Sequence, residues 1–466
     1  MQKAKQPCRA ATLLLASVLL GGCATYHSVP LTPHSTALQR IDALHIDPHS
    51  MPLPALAAHR FDPSDGLDIT ETAMLAVANN PDLKLARDDA GIAHAQAFAA
   101  GLLPDPQLNL TGDFPSPSIA GLIPAFNRGL SFDFTSLITH AATHEAATAS
   151  AQKTDLALLW QEWQVVAQAR QLFVRIATQR RLAAVLQQAL TWQTTRYQAA
   201  QAAMTAGNLT LGAVTPYLVA QQDIQRQLAE LGRQQNQSRH NLNALLGLAP
   251  QVHLDLVGST RIAPLNLKAL RRATRDLAKR RPDLLALAAG YQSQEAKVRA
   301  AILAQFPSLN IGFTRARDTA GVYTTGFSVS ISLPIFNRNR GNIAVERATR
   351  QRLKDEYQSR LNKAENDIDR LLAEQQLLEQ QRSTTLESIR ILQANTQKAA
   401  TAYSAHRITL NLYIDLESAL YTKQIEAINL DQTLLEQRIA LQALLGGELP
   451  HQAASKTSTP IKQASE

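Results

Sequence analysis

The sequence predicts a mainly α protein with a small β part, built from two internal repeats, and three observations predict it. Pro81-Asp82-Leu83 recurs as Pro282-Asp283-Leu284, and Pro106-Gln107-Leu108-Asn109 as Pro307-Ser308-Leu309-Asn310, both at an offset of 201 residues. Between Pro81 and Asn109, 10 of 29 positions match their counterparts without a gap, and a fixed offset held that far marks two copies of one structural unit. The composition is rich in Ala, Leu and Gln and only 5% aromatic, as in long helices and bundles. Two pairs of short segments alternate apolar with polar residues, the period of strands with one greasy and one polar face.

The N-terminus carries Lys3, Lys5 and Arg9, an apolar run from Ala10 to Leu20, then Gly21-Gly22-Cys23. A charged start, a short apolar run and small residues before a cut define a secretory signal, here residues 1–22. Leu20-Gly21-Gly22-Cys23 resembles a bacterial lipobox, which implies cleavage before Cys23 and lipidation of that cysteine. Ala24 stands where an aspartate would imply inner-membrane retention. Losing the signal lowers the net charge from +8 to +5 and removes Cys8, so the mature chain has no internal disulfide. That modest charge gives no reason to expect a nucleic-acid partner. No later stretch reaches the ~18 apolar residues of a transmembrane helix.

Residues 23–62, rich in Pro, His and Ser, read as an extended, lipid-anchored leader. The first repeat spans residues 63–255. Asp68 or Thr70 caps its first helix, Asn79-Asn80-Pro81 interrupts it, and Pro104-Asp105-Pro106 stops it. One strand follows with Leu108, Leu110 and Phe114 alternating with polar residues, and another with Leu130, Phe132 and Phe134 doing so. The segment Pro115 to Arg128 reads as a loop. From Thr139 to Ala206 there is almost no Gly or Pro, which predicts a helix roughly 100 Å long. Gly207-Asn208 breaks it, and a return helix runs from Thr210 to Leu246.

The second repeat spans residues 256–450. Leu309, Ile311 and Phe313 mark its first strand, and Phe327, Val329, Ile331 and Leu333 its second, with a loop from Arg315 to Thr324. Helices are expected from Asn342 to Tyr403 and from Leu410 to Leu445. Apolar spacings of three and four predict coiled-coil-like packing. Residues 451–466 are polar and read as a disordered tail.

Four strands with two-sided character suit a membrane barrel, lipid face apolar and lumen polar. Four cannot close a barrel, and open edges are not tolerated in lipid. The chain must therefore oligomerise, and three copies would supply twelve strands.

The whole arrangement resembles the TolC-type outer-membrane efflux proteins over about residues 60–448. The motifs that carry it are Asn79-Asn80-Pro81-Asp82-Leu83, Arg281-Pro282-Asp283-Leu284, Phe306-Pro307-Ser308-Leu309, Ser332-Leu333-Pro334-Ile335-Phe336 and Ala443-Leu444-Leu445-Gly446-Gly447. The resemblance implies a homotrimer with one 12-stranded β-barrel in the outer membrane and long antiparallel helices forming an α-helical barrel across the periplasm. It also implies a periplasmic adaptor and an inner-membrane pump, often proton-driven, as partners. It places adaptor docking at the turns Gly207, Asn208, Leu209 and His406, Arg407, Ile408, the second of which lacks the family's glycine. It places a pore gate of acidic residues at Asp415, with Glu417 nearby; Leu412 and Ala213 occupy positions that are acidic in some relatives. Gly101-Leu102-Leu103-Pro104-Asp105-Pro106 is similar to the heavy-metal efflux branch, but the exported substrate stays open.

No enzymatic constellation is present. His144-Glu145 is followed by Thr148, not the second histidine of a zinc protease, and no cofactor is called for. His140 and His144 have the i, i+4 spacing of a helical metal edge, without a third ligand in view. The two readings left are a passive efflux conduit and a structural envelope lipoprotein with a helical scaffold and no pore.

Overall fold

The computed structural model describes residues 26–41, 44–116, 121–260, 262 and 267–445. Cys23 with the signal segment, Gly446-Gly447 and the tail 451–466 lie outside the described residues. Contacts divide the chain into two units, Met1–Leu38 and Gln39–Glu466, and among the described residues the helices and strands fall in the second.

Seven helices and four strands form the framework. Helix α1 is Ile69–Asn79 and α2 is Pro81–Gly101. Asp68 caps α1 through a capping box with Glu71, and Pro81 opens α2 with Asn80 as its cap. Strands β1 (Gln107–Asp113) and β2 (Ala125–Asp133) follow, then α3 (Thr135–Thr205) and α4 (Leu211–Leu245). Helix α5 (Pro282–Leu303), β3 (Leu309–Arg317), β4 (Tyr323–Ile331), α6 (Arg340–Ser404) and α7 (Leu410–Leu444) then run through the same order. At 71 residues, α3 extends roughly 105 Å. It contains no Gly or Pro to break it, and α1, α2, α4, α5 and α7 all pack on it.

Packing is spread along the hairpins. Ile224 and Leu231 of α4 meet Leu186 and Ala189 of α3, with Tyr421 and Ile425 of α7 against them. Closer to the strand end of α3, Leu156 packs on Leu285 and Ala289 of α5. Two short helices, Leu267–Arg275 and Leu277–Arg280, were not anticipated. They bury Leu270, Ala273 and Leu277 against Leu284, Ile368 and Leu441, a spacing of three and four legible in retrospect. The expected extended leader also contains helical turns at Pro48–Ser50 and Pro54–Ala57, and it buries Ile46, Met51 and Leu56.

The four strands form one antiparallel sheet in the order β1-β2-β3-β4. The hairpins run further than the alternation suggested. Phe126 pairs with Arg317 and Arg128 with Arg315, so β2 begins at Ala125 and β3 ends at Arg317, inside the expected loops. Arginines on the otherwise apolar face interrupt the hydropathy pattern, yet the backbone ladder does not need that pattern to continue.

Candidate functional site

The two turns that join the long helices have one geometry. At the end of α3, Ala206 N–H bonds the Ala202 carbonyl, Gly207 N–H bonds Met204, and Asn208 N–H reaches back to Ala203 at 2.8 Å. At the end of α6, Ala405 bonds Thr401, His406 bonds Tyr403, and Arg407 reaches Ala402 at 2.8 Å. These are left-handed C-caps, in which the residue after the helix takes positive φ to satisfy the last carbonyls. Gly207 does so at φ 76°, and His406 at φ 55°. The second turn therefore lacks the glycine but keeps its shape, with a histidine in the left-handed region. Asn208, His406 and Arg407 are exposed, as is Gly207, while Leu209 and Ile408 are half-buried.

Just inside these turns, α7 is clasped to α3. The Arg196 guanidinium lies between two rings, 3.8 Å from the centroid of Trp192 and 4.2 Å from that of Tyr413. Tyr413 stacks on Tyr403 at 5.6 Å and donates its hydroxyl to Glu417 at 3.1 Å. Burial pushes the Arg196 guanidinium below its usual range despite the nearby tyrosines and Glu417. Burial, then the Glu417 charge, pushes the Tyr413 hydroxyl up. Tyr217 of α4 joins the cluster by donating its hydroxyl to Asn411 at 3.1 Å.

The two sequence-predicted gate residues thus differ. Glu417 is half-buried and engaged by Tyr413, whereas Asp415 is exposed, on the same side as exposed Leu412 one turn earlier. Sequence reasoning missed the Arg196 clasp. Its signals were Trp192 and Arg196 at i, i+4 and Tyr403 and Tyr413 on either side of the second turn.

The sheet has two unlike faces. Cross-strand partners share a face, so Leu108, Leu130, Phe313 and Phe327 form one row, and all four are exposed. The opposite face carries Asn109, Gly129, Thr314 and Gly326 in one row, and Gln107, Ser131, Gly312 and Ser328 in the next. Among the described residues, strands β1 and β4 each pair on one side alone.

The Asn79-Asn80-Pro81 motif proves to be a joint. Asn79 and Asn80 donate their side-chain amides to the Leu246 and Leu245 carbonyls at the end of α4, and Asn80 accepts from Leu83 N–H at 2.9 Å. One residue thereby caps two helix ends. Gly247, at φ 64°, lies so close that a Cβ there would stand 2.4 Å from the Asn79 carbonyl oxygen. At the corresponding offset Arg281 makes a buried bidentate pair with Asp283, at 2.9 and 2.8 Å.

His140 and His144 pack on the end of α2. His140 Nε2 lies 3.2 Å from the Gly101 carbonyl, and the two rings stack at 6.3 Å. Among the described residues, His59, Asp68 and Glu71 are the one group of three placed to share an ion. The carboxylates of Asp68 and Glu71 already accept backbone N–H groups, those of Thr70 and Glu71 for the first and of Asp62 and Asp68 for the second.

Residues 273–447 match the family model described as outer membrane efflux protein. The chain is 30% identical over 241 residues to the pyoverdine export outer membrane protein OpmQ of Pseudomonas putida, covering 49% of this chain and 50% of that protein. It is 25% identical over 177 residues to the cation efflux system protein CusC of Escherichia coli, covering 36% and 38%. The alignments thus span half or less of the length of these relatives. In fold, the chain is similar to a crystal structure of CusC, with a TM-score of 0.68 at 20% identity over 89% of this chain and all of that one. It is likewise similar to the outer-membrane channel OprN, with a TM-score of 0.69 at 15% identity over 91% and 99%.

Proposed function

We propose that this chain, whose residues 273–447 match the outer membrane efflux protein model, is the outer-membrane channel of a tripartite efflux system. The observation that carries this reading is the sheet: apolar on one face up to the arginines at its loop end, small and polar on the other, and unpaired along both edges among the described residues. A soluble scaffold has no use for such a sheet, and lipid does not tolerate its edges. Three copies of the four strands would pair β1 with a neighbour's β4 and close a twelve-stranded barrel, lumen face inward. The matched order of elements in the two halves reads as a duplication of one unit. Leu85, Ile92 and Phe98 along α2, all exposed in the single chain, would be covered by neighbouring copies in a helical barrel below.

The turns at Gly207 and His406 lie at the ends of the longest helices, and in this reading they dock a periplasmic adaptor that links the channel to an inner-membrane, proton-driven pump. Asp415 lines the narrow end of the tunnel, and Cys23 carries the lipid anchor. Substrate choice belongs to the pump; the named relatives export cargoes as unlike as pyoverdine and cations. The test is reconstitution of the purified chain in planar bilayers, with its mass measured in detergent. Trimers that open stepwise conductances are expected. A folded monomer without conductance would favour the scaffold lipoprotein.

A further inference from the structure

The apolar face of the sheet carries three arginines at its loop end. Arg128 of β2 and Arg315 of β3 are direct cross-strand partners. Arg317 lies two residues beyond Arg315 and so on the same face, in a row with Phe126 and Tyr323. The Arg128 guanidinium stands 4.8 Å from the Phe126 ring centroid, and that of Arg317 is 5.1 Å from Phe126 and 5.9 Å from Tyr323. Arg317 donates Nη2 to the Pro124 carbonyl at 2.8 Å, while its buried Nε has no partner.

Charge is segregated by face. The strand positions that share the arginines' face hold no carboxylate; Asp113 and Asp133 fall on the opposite face by register. Among the described residues no ion pair engages any of the three arginines. Asp318, next in the chain, is occupied by the N–H groups of Ala320 and Val322. Immediately below, toward the helices, comes the apolar row of Leu108, Leu130, Phe313 and Phe327. The arginines therefore sit where the apolar band ends, among aromatic rings of the kind that mark the headgroup level.

We propose that this cluster is a binding site for phosphate-bearing lipid headgroups in the leaflet that faces away from the helices. The inference rests on the reading of the apolar face as lipid-facing. An unpaired guanidinium in the acyl region is costly, whereas at the headgroup level its planar fork matches a phosphate bidentately. The flanking rings fix the Arg128 and Arg317 forks in place, and three copies of the chain repeat the cluster around the barrel. Lipid phosphates supply the negative charge that the protein withholds from this face.

The test uses the full-length trimer in detergent, titrated with bisphosphorylated lipid A or its dephosphorylated counterpart and read by native mass spectrometry. The phosphorylated lipid should bind more tightly. The triple variant R128Q/R315Q/R317Q should lose roughly fivefold per arginine, on the order of 100-fold in all; the triple lysine variant should lose less. Trimer mass and conductance in phosphatidylcholine bilayers should not change in either variant. Equal affinity for the two lipids, undiminished binding by the glutamine variant, or displacement by millimolar inorganic phosphate would overturn the site. A conducting trimer with no phosphate preference would overturn this site alone, whereas a chain that forms no trimer and enters no bilayer would remove the channel reading with it.

Discussion

His406 and Gly207 occupy the same step of two turns with the same hydrogen bonds, and exchanging their chemistry isolates the cost of left-handed backbone. A Cβ on Gly207 would meet nothing within 4 Å, so any penalty there is conformational, not steric against neighbours. A side chain in this region costs about 1–2 kcal/mol, while glycine's greater freedom in the unfolded chain gives back roughly 0.5–1 kcal/mol. The net change is about 0.5–1 kcal/mol in either direction, equivalent to roughly two- to fivefold in a local opening constant. Amide hydrogen exchange of the purified protein reads it directly. Gly207→Ala should speed exchange of the Asn208 N–H by that factor, since this group bonds the Ala203 carbonyl only when the turn is closed. His406→Gly should slow exchange of the Arg407 N–H, which bonds Ala402, by the same factor. Faster exchange at Arg407 in His406→Gly would refute the reasoning, because the imidazole would then contribute more contact than its backbone costs.

The remaining predictions concern the joint, the proposed docking turns and the proposed gate. Asn80→Ala removes the cap of α2 and the amide on the Leu245 carbonyl together, and should cost about 1–2 kcal/mol, seen as a lower melting temperature of the purified protein. Gly207→Asp keeps a residue that tolerates positive φ but adds charge at the tip; export and adaptor cross-linking should fall while trimer abundance holds, and preserved cross-linking would move the docking site. Asp415→Ala should weaken cation selectivity in bilayer recordings, Asp415→Lys should tilt the pore toward anions, and high salt should blunt both effects. Unchanged selectivity in both variants would place Asp415 on a solvated face away from the lumen.

Most of the framework is legible in the chain because it is governed by local rules. A 71-residue helix needs only the absence of Gly and Pro and a steady supply of helix formers, and the boundaries of α3, α4, α6 and α7 fall within a few residues of expectation. The strands are visible because alternation follows from the pleat, and their apolar face is the one the alternation marks. The hairpins' outer ends were not visible, because Arg128, Arg315 and Arg317 break the hydropathy pattern where the hydrogen-bond ladder continues. Only tertiary proximity reveals that Asn79 and Asn80 close the end of α4, more than 160 residues away. Only the fold seats Arg196 between Trp192 and Tyr413 and draws Glu417 into that clasp, leaving Asp415 as the exposed carboxylate. Left-handed backbone at His406 likewise has no composition signal, since nothing in the letters His-Arg-Ile distinguishes a capped helix end from a frayed one. Sequence by itself determined what the long helices and the strand centres are, since periodicity and chain breakers act over a few residues. Which side chains meet was decided by the tertiary structure, since those contacts depend on how hairpins from the two halves are laid against one another.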